Sequence, residues 1–528
     1  MSAPWKLAAL CLGVLSRLSG ADARSCNPPG LVDLGYAKHV PTYVNTTASG
    51  RKVSVYKNIR FANPPTGTLR FRLPDTQLPK TPGVQDGNVP DLENHCISSA
   101  HPGAPFPPYN GTTWGREDCL FLDVYVPDNV RPGDSVPVMQ WFTGSAFAFG
   151  SKDMFLSPLG LFDAMDDDTK FIFVANNYRL GLPGWTYMPG EDMTANLGMH
   201  DCLAAAKWTS NHIWRFCGDP NRVTVVGQSA GAGIIGLLTV LDGGEGKLPF
   251  QQAWASSPAI PPRRNPIERQ RRLFQMILDE ANCTSLECLR ALPEEDLRGL
   301  NHLFINILPS DGGGGVFGPA PGFGPVPDGT FIPDTPQALF QQGKFHKELR
   351  SLVLGNAANE GMGLSSDVGM PENFPALVRQ IFSTASNETI AAIQSKYDYN
   401  DNAAKLAWDW TTDVIFACNA ANLASAYQDR ARRYIFSAPH AVHGQDLFYM
   451  FYADQETTPI EDIEDARTLQ RNMLNFLYGR EFDWPLYGEG KWITNITATE
   501  FEALELPAEL DARCQMVNEV VLGPANGV

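Results

Sequence analysis

The chain has 528 residues, 43% of them hydrophobic and 19% charged, with 11 Trp, 15 Tyr and 29 Phe. That composition can bury a large core, which excludes a disordered or fibrous chain. Acidic residues number 58 against 41 basic, and the formal net charge of -17 would be repelled by phosphate backbones and anionic membrane surfaces, so no nucleic-acid partner is expected.

At the amino end Lys6 precedes an apolar run from Leu7 to Leu15, Arg17 interrupts it, and Ala21-Asp22-Ala23 follows. A charged stretch, an apolar stretch and a small-x-small site predict a secretory signal peptide over residues 1–23, with a mature chain over 24–528. The run is too short to span a bilayer and no later stretch is apolar for long enough, so no stable membrane anchor is expected. Five N-x-[ST] sequons, at Asn45, Asn110, Asn282, Asn387 and Asn495, agree with an oxidising route and are candidate glycosylation sites. Nine cysteines follow the leader, an odd number that leaves at least one thiol free or paired between chains. No CxxC pair occurs, so a zinc ribbon is not expected.

Strand-like and helix-like runs then alternate. Leu120–Val126, Val138–Phe142, Phe171–Ala175 and Val223–Val226 read as strands, and Ala204–Trp214 and Ala230–Leu241 as helices. Ser351–Leu354 and Tyr434–Phe436 read as further strands, and Asp462–Tyr478 as an amphipathic helix. Alternation of this kind predicts βαβ units and an α/β fold with a mostly parallel, buried sheet. The Gly- and Pro-rich stretch Ser310–Asp334 brings no change of composition at its ends, so it reads as a surface loop near a pocket. Residues 24–528 therefore read as one large domain with insertions.

The most informative segment is Val223-Thr-Val-Val-Gly-Gln-Ser-Ala-Gly-Ala-Gly233. A β-branched strand enters Gly227-x-Ser229-x-Gly231 and a helix leaves it. A serine at such a turn has its Oγ pushed into the open, and its neighbours two residues away must be small where strand and helix close together. The N–H of Ala230, at the new helix's amino end, would face a developing oxyanion. A serine alcohol needs a base, and the base an orienting acid, in the chain order Ser, acid, His. Glu360 follows the strand at Ser351–Leu354. It reads either as that acid, at the catalytic edge of a parallel sheet, or as a helix N-terminal carboxylate. His440 and His443 compete for the base, and the glycine after His443 suits a bent loop. Their H-x-x-H spacing has no recognisable third ligand, so no metal is expected.

These residues resemble the type-B carboxylesterase/lipase family of α/β-hydrolases, which includes cholinesterases and fungal lipases. The resemblance covers nearly the whole mature chain. It runs through Tyr56–Phe71, Glu117-Asp-Cys-Leu-Phe-Leu-Asp-Val124, Asn177-Tyr-Arg-Leu-Gly181, Asn196-Leu-Gly198, Phe216-Cys-Gly-Asp-Pro220 and Phe317-Gly-Pro319, in order. It implies an α/β-hydrolase fold with insertions over the active site. It implies Ser229 as nucleophile, Glu360 as acid and His443, in a His-Gly-x-acid-Leu pattern, as base. It also implies disulfides Cys96–Cys119 and Cys283–Cys288. The family's Gly-rich oxyanion loop is replaced here by Thr143-Gly144-Ser145-Ala146-Phe147, which would offer the N–H groups of Ser145 and Ala146 beside that of Ala230. Side chains in that loop narrow the allowed φ/ψ and crowd the pocket. Gln228 stands where the family usually has Glu before the nucleophile. The implied activity is hydrolysis of a small-molecule carboxylic ester through an acyl-enzyme, in a secreted enzyme with no cofactor. An alcohol acceptor in place of water would make it an acyltransferase. A binding protein on the same fold is disfavoured because Ser, Glu and His are all present. Trp141, Phe142, Phe147, Phe149 and Trp185 fit an apolar acyl site or, equally, a buried core.

Overall fold

In a computed structural model the described residues are 26 and 29–526, less 91, 104–108, 145, 155–156, 167, 264–266, 309–322, 366–370, 400–401 and 403. The signal-peptide segment, Ser145 and Phe317-Gly-Pro319 thus lie outside the described residues.

One sheet of eleven strands organises the chain. In chain order these are β1 (Tyr43–Thr46), β2 (Lys52–Arg60), β3 (Phe121–Pro127), β4 (Val136–Phe142), β5 (Ile172–Asn176), β6 (Gly218–Gln228), β7 (Gln252–Ser256), β8 (Ser351–Ala357), β9 (Ala431–Phe436), β10 (Trp492–Ile496) and β11 (Phe501–Glu505). Across the sheet they lie in the order β1-β2-β3-β5-β4-β6-β7-β8-β9-β10-β11. Every neighbouring pair from β5 to β10 is parallel, whereas the flanking pairs are antiparallel. This is the α/β-hydrolase fold.

The division follows from composition. The central strands are near-continuous apolar runs, and every residue of β4, β5 and β7 is buried. Parallel strands covered on both faces read this way. Successive side chains enter opposite cores: Val138, Val174, Val225 and Leu354 pack on one face, and Met139, Phe173, Val226 and Val353 on the other. By contrast β11, at the sheet's edge, has no buried residue.

Helices cover both faces. α1 (Leu197–His212) leads into a 3₁₀ turn at Ile213–Phe216, so the helical stretch begins earlier than its apolar pattern at Ala204 suggests. α2 (Ala230–Leu238) is buried at every position, a central helix made of small and aliphatic residues. α3 (Cys418–Tyr427) packs against β8 and β9. The short α4 (Gln445–Met450) begins at Gly444, whose φ of 81° reverses the chain after His443. α5 (Ile463–Tyr478) is capped by the Asp462 carboxylate, which accepts from the N–H groups of Glu464 and Asp465.

Four disulfides join Cys26 to Cys217, Cys96 to Cys119, Cys283 to Cys288 and Cys418 to Cys514, and the remaining thiol among the described residues, Cys202, is buried. Among the described residues no helix is long and apolar enough to cross a membrane, and no cluster of three metal-ligating side chains occurs.

Candidate active site

The site sits at the carboxyl ends of β6, β8 and β9. β6 ends at Gln228, and Ser229 turns the chain into α2 with φ 55° and ψ -123°, a conformation that costs a non-glycine residue free energy. The neighbouring glycines permit this turn. A Cβ on Gly231 would lie 2.0 Å from the carbonyl oxygen of Phe142 in β4, and one on Gly233 would lie 2.1 Å from that of Ala259. The serine backbone is held on both sides: its N–H donates to Ser256 O (3.0 Å), and its carbonyl accepts from Gly233 N–H (2.8 Å) and Ala259 N–H (3.1 Å). Its side chain is therefore presented by fixed backbone rather than by a mobile loop.

Ser229 Oγ lies 2.9 Å from His443 Nε2. On the far side of the ring, His443 Nδ1 bonds to Glu360 Oε2. Glu360 is wholly buried, and its Oε1 accepts from Ser257 Oγ and from the backbone N–H of Ala357, each at 2.6 Å. These donors fix the carboxylate, and the carboxylate fixes the proton on Nδ1. Nε2 is thereby left with a lone pair facing the serine. His440 is exposed and takes no part in this chain of contacts, although its carbonyl accepts from Asn359 Nδ2 at 2.9 Å.

The loops that carry Glu360 and His443 are stitched together. Ala358 N–H donates to Phe436 O and Asn359 N–H to Ala441 O, each at 2.9 Å. A π-helical turn at Thr412–Ala417 braces them from one side: Thr412 Oγ1 accepts from Gly361 N–H at 3.0 Å, and the Phe416 ring lies 4.5 Å from that of His443. Neither Ser257 nor this turn carries a sequence signal, because both approach the site only through tertiary packing.

Near His443 lies a second buried carboxylate. Asp446 accepts from Tyr434 Oη at 2.7 Å, and that hydroxyl also meets Ser256 Oγ at 2.6 Å. Burial pushes the Asp446 carboxyl up to about 6.

The stretch facing the serine begins at the end of β4. A Cβ on Gly144 would lie 2.9 Å from the carbonyl oxygen of Gln228 and 3.1 Å from Ser229 Cβ, so only glycine leaves room there. Ala146 takes φ 56°, a left-handed conformation held here by a residue with a side chain. Tyr178 Oη, fully buried, donates to the carbonyls of Thr143 (2.9 Å) and Gly144 (3.2 Å) and so ties this stretch to the motif after β5. Ala230 is the first residue of α2, and its N–H has no acceptor within the helix. The aromatic residues Trp141, Phe142, Phe147, Phe149 and Trp185 are all buried in the two main cores. Two clefts of about 470 and 480 Å³ are lined around Tyr36 and Leu78 and contain none of the three site residues.

The sequence model of the carboxylesterase family matches residues 42–479. The chain belongs to the carboxylesterase family. It is a carboxylic ester hydrolase, with the hydrolase fold described above. It is similar to the carboxylesterase patB of Aspergillus clavatus, with 31% identity over 519 residues that cover 88% of this chain and 90% of that one. The carboxylesterase patB of Penicillium expansum is 30% identical over 505 residues, covering 85% and 87%. The crystal structure of Aspergillus niger EstA superposes with a TM-score of 0.79 at 21% identity, covering 95% of this chain and 99% of that one, which shows a shared fold.

Proposed function

We propose that this carboxylesterase is a secreted serine esterase that works through an acyl-enzyme on Ser229. The observation that carries the reading is the unbroken run of contacts from Ser229 Oγ through His443 to Glu360. His443 Nε2 takes the hydroxyl proton as Oγ attacks the ester carbonyl. The N–H groups of Ser145, Ala146 and Ala230 hold the oxyanion. The imidazolium then protonates the leaving alcohol, and a water deprotonated by the same nitrogen releases the acid. Glu360 holds the ring's tautomer and balances its charge in each half-reaction.

The substrate is a small carboxylic ester. Residues 1–23 serve as a secretory leader and residues 24–528 as one catalytic domain. Four disulfides support an oxidising destination. Asn110, Asn282 and Asn387 are exposed and would accept glycans readily. Asn45 lies on the edge strand β1, and Asn495 lies on β10, where its Oδ1 accepts from Ser437 Oγ at 2.7 Å.

Ser229→Ala is the direct test. It abolishes p-nitrophenyl ester hydrolysis and labelling by a fluorophosphonate probe, and leaves the melting temperature nearly unchanged. Turnover retained by the purified variant would remove Ser229 from this role.

A further inference from the structure

The large sheet has two edges, and they are finished differently. At one, β11 reads Phe501-Glu-Ala-Leu-Glu505, with exposed carboxylates at Glu502 and Glu505. At the other, β1 reads Tyr43-Val-Asn-Thr46 and has no charged residue. An outermost strand offers backbone N–H and C=O groups to any strand that approaches, and charged side chains are one way of preventing that pairing. β1 lacks this defence and is partly apolar at its surface, with Val44 53% and Tyr43 40% exposed. Two such edges brought together antiparallel would extend one sheet into the next and bury those side chains against each other.

Asn45, inside β1, is the acceptor of an N-x-[ST] sequon completed by Thr47. It shares one face of the strand with Tyr43, while Val44 and Thr46 share the other. The turn that follows is pinned. Thr47 Oγ1 accepts from Arg51 N–H at 3.2 Å and lies 3.1 Å from Ser49 Oγ, and Ser49 N–H donates to Asp163 Oδ1 at 2.7 Å. β1 is thus presented as a formed strand rather than a frayed end. Thr47 is buried, so the sequon is legible to a modifying enzyme only before the chain folds.

We propose that an N-linked oligosaccharide on Asn45 guards this edge and keeps β1 from pairing with the β1 edge of a second copy of the chain. This rests on the secretory reading above. The donor is a lipid-diphosphate-linked oligosaccharide. Asn45 Nδ2 forms a C–N bond to its anomeric carbon, the bond from that carbon to the diphosphate oxygen breaks, the lipid diphosphate leaves, and one amide proton is released. A branched, hydrated chain rooted on β1 sweeps the space that a second strand about 4.8 Å away and its side chains would need. Sugar on one edge and carboxylates on the other therefore do the same task. β2, β3, β5 and β4 separate β1 from β6, so the guard acts on association and not on the candidate active site.

The test uses the full chain secreted by a eukaryotic host. It compares the parent with Asn45→Gln, with Asn45→Gln/Val44→Lys, and with Asn387→Gln, whose sequon lies at the start of the helix Asn387–Gln394. Glycopeptide mass spectrometry reads occupancy, and size exclusion with light scattering follows the mass during incubation. The parent carries sugar at Asn45 and keeps its mass. Asn45→Gln passes into dimers and larger species several times faster, Asn387→Gln follows the parent, and the added Val44→Lys restores the parent's rate. The monomer fraction of each keeps the parent's kcat/KM on p-nitrophenyl acetate. Should Asn45→Gln fail to be secreted, the folded parent and Val44→Lys are trimmed to the first sugar with an endoglycosidase, and the trimmed parent associates faster. Equal rates in Asn45→Gln and Asn387→Gln, or in the two trimmed proteins, overturn the proposal, as does a Val44→Lys change that fails to slow association. Sugar at other sequons with Asn45 bare sinks the guard alone, whereas a chain bare at all five sinks the secretory reading and the guard with it.

Discussion

Two sets of buried carboxylates in this esterase differ in what balances them. On the amino-terminal side each has a permanent cation. Arg179 donates from Nε and Nη2 to Asp201, Arg70 grips Glu117 in the same bidentate way, and Lys152 Nζ meets Asp123 at 3.0 Å, all of these side chains being essentially buried. At the site, Glu360 and Asp446 meet hydroxyls, one backbone N–H and an imidazole. A fixed guanidinium there would satisfy the carboxylate whatever the base was doing. A titratable partner leaves the carboxylate's field available at the moment the ring becomes charged. On the acyl-enzyme reading proposed above, Glu360 would use that field, whereas the cation-paired carboxylates hold the scaffold.

Substitutions in the two groups break different observables. The largest effect is expected at Glu360→Gln, which keeps the shape of the acid but loses its charge and the tautomer it enforces. Its kcat should fall by about 10³–10⁴-fold with a small change in melting temperature; a loss under tenfold would place Glu360 with the structural carboxylates. Arg179→Met is the counterpart. It leaves Asp201 buried and unpaired and should cost about 3–5 kcal/mol in denaturant unfolding, with kcat per labelled active site little changed.

Asp446 sits between the groups. Its folded-state value is raised by burial, so the native protein binds this proton more tightly than the unfolded chain does. The resulting stability is present at low pH and is lost as pH rises from the unfolded value through about 6. Asp446→Asn should therefore flatten the fall in stability over that window, by on the order of 1–3 kcal/mol; urea titrations at several pH values with unchanged slope would exclude it. The smallest effect is expected at Tyr178→Phe, which removes the donor to Thr143 O and Gly144 O. A loss of about 1 kcal/mol of transition-state stabilisation lowers kcat by about fivefold, read with KM held nearly constant.

Much of this was legible from the residues. The strand-turn-helix around Ser229 announces itself through a β-branched run, glycines at fixed offsets and a small-residue helix, because a sharp βα turn tolerates nothing else. The central strands β3 to β6 are visible as apolar runs for a similar local reason. The short β7, with Gln252 and Ser256 at its ends, the edge strands β1 and β11 and their neighbours β2 and β10 carry no such signal, since they lack the continuous apolar pattern of a doubly covered strand. Position alone left Glu360 balanced between two roles and left two histidines in competition. Their distances to each other and to Ser229 come from loops that meet across the sheet edge.

The amino-acid sequence by itself determined the local events: where the sheet's core strands run, where the chain kinks at Ser229, and which residue types could do acid, base and nucleophile chemistry. These are short-range matters of backbone sterics and apolar periodicity. The tertiary structure alone decided that His443 Nε2 comes within 2.9 Å of Ser229 Oγ, that Ser257 and Ala357 donate to Glu360, and that Gln228 lies against His443. Those contacts join segments up to 215 residues apart, and their geometry is set by how strands and loops pack rather than by any neighbour in the chain.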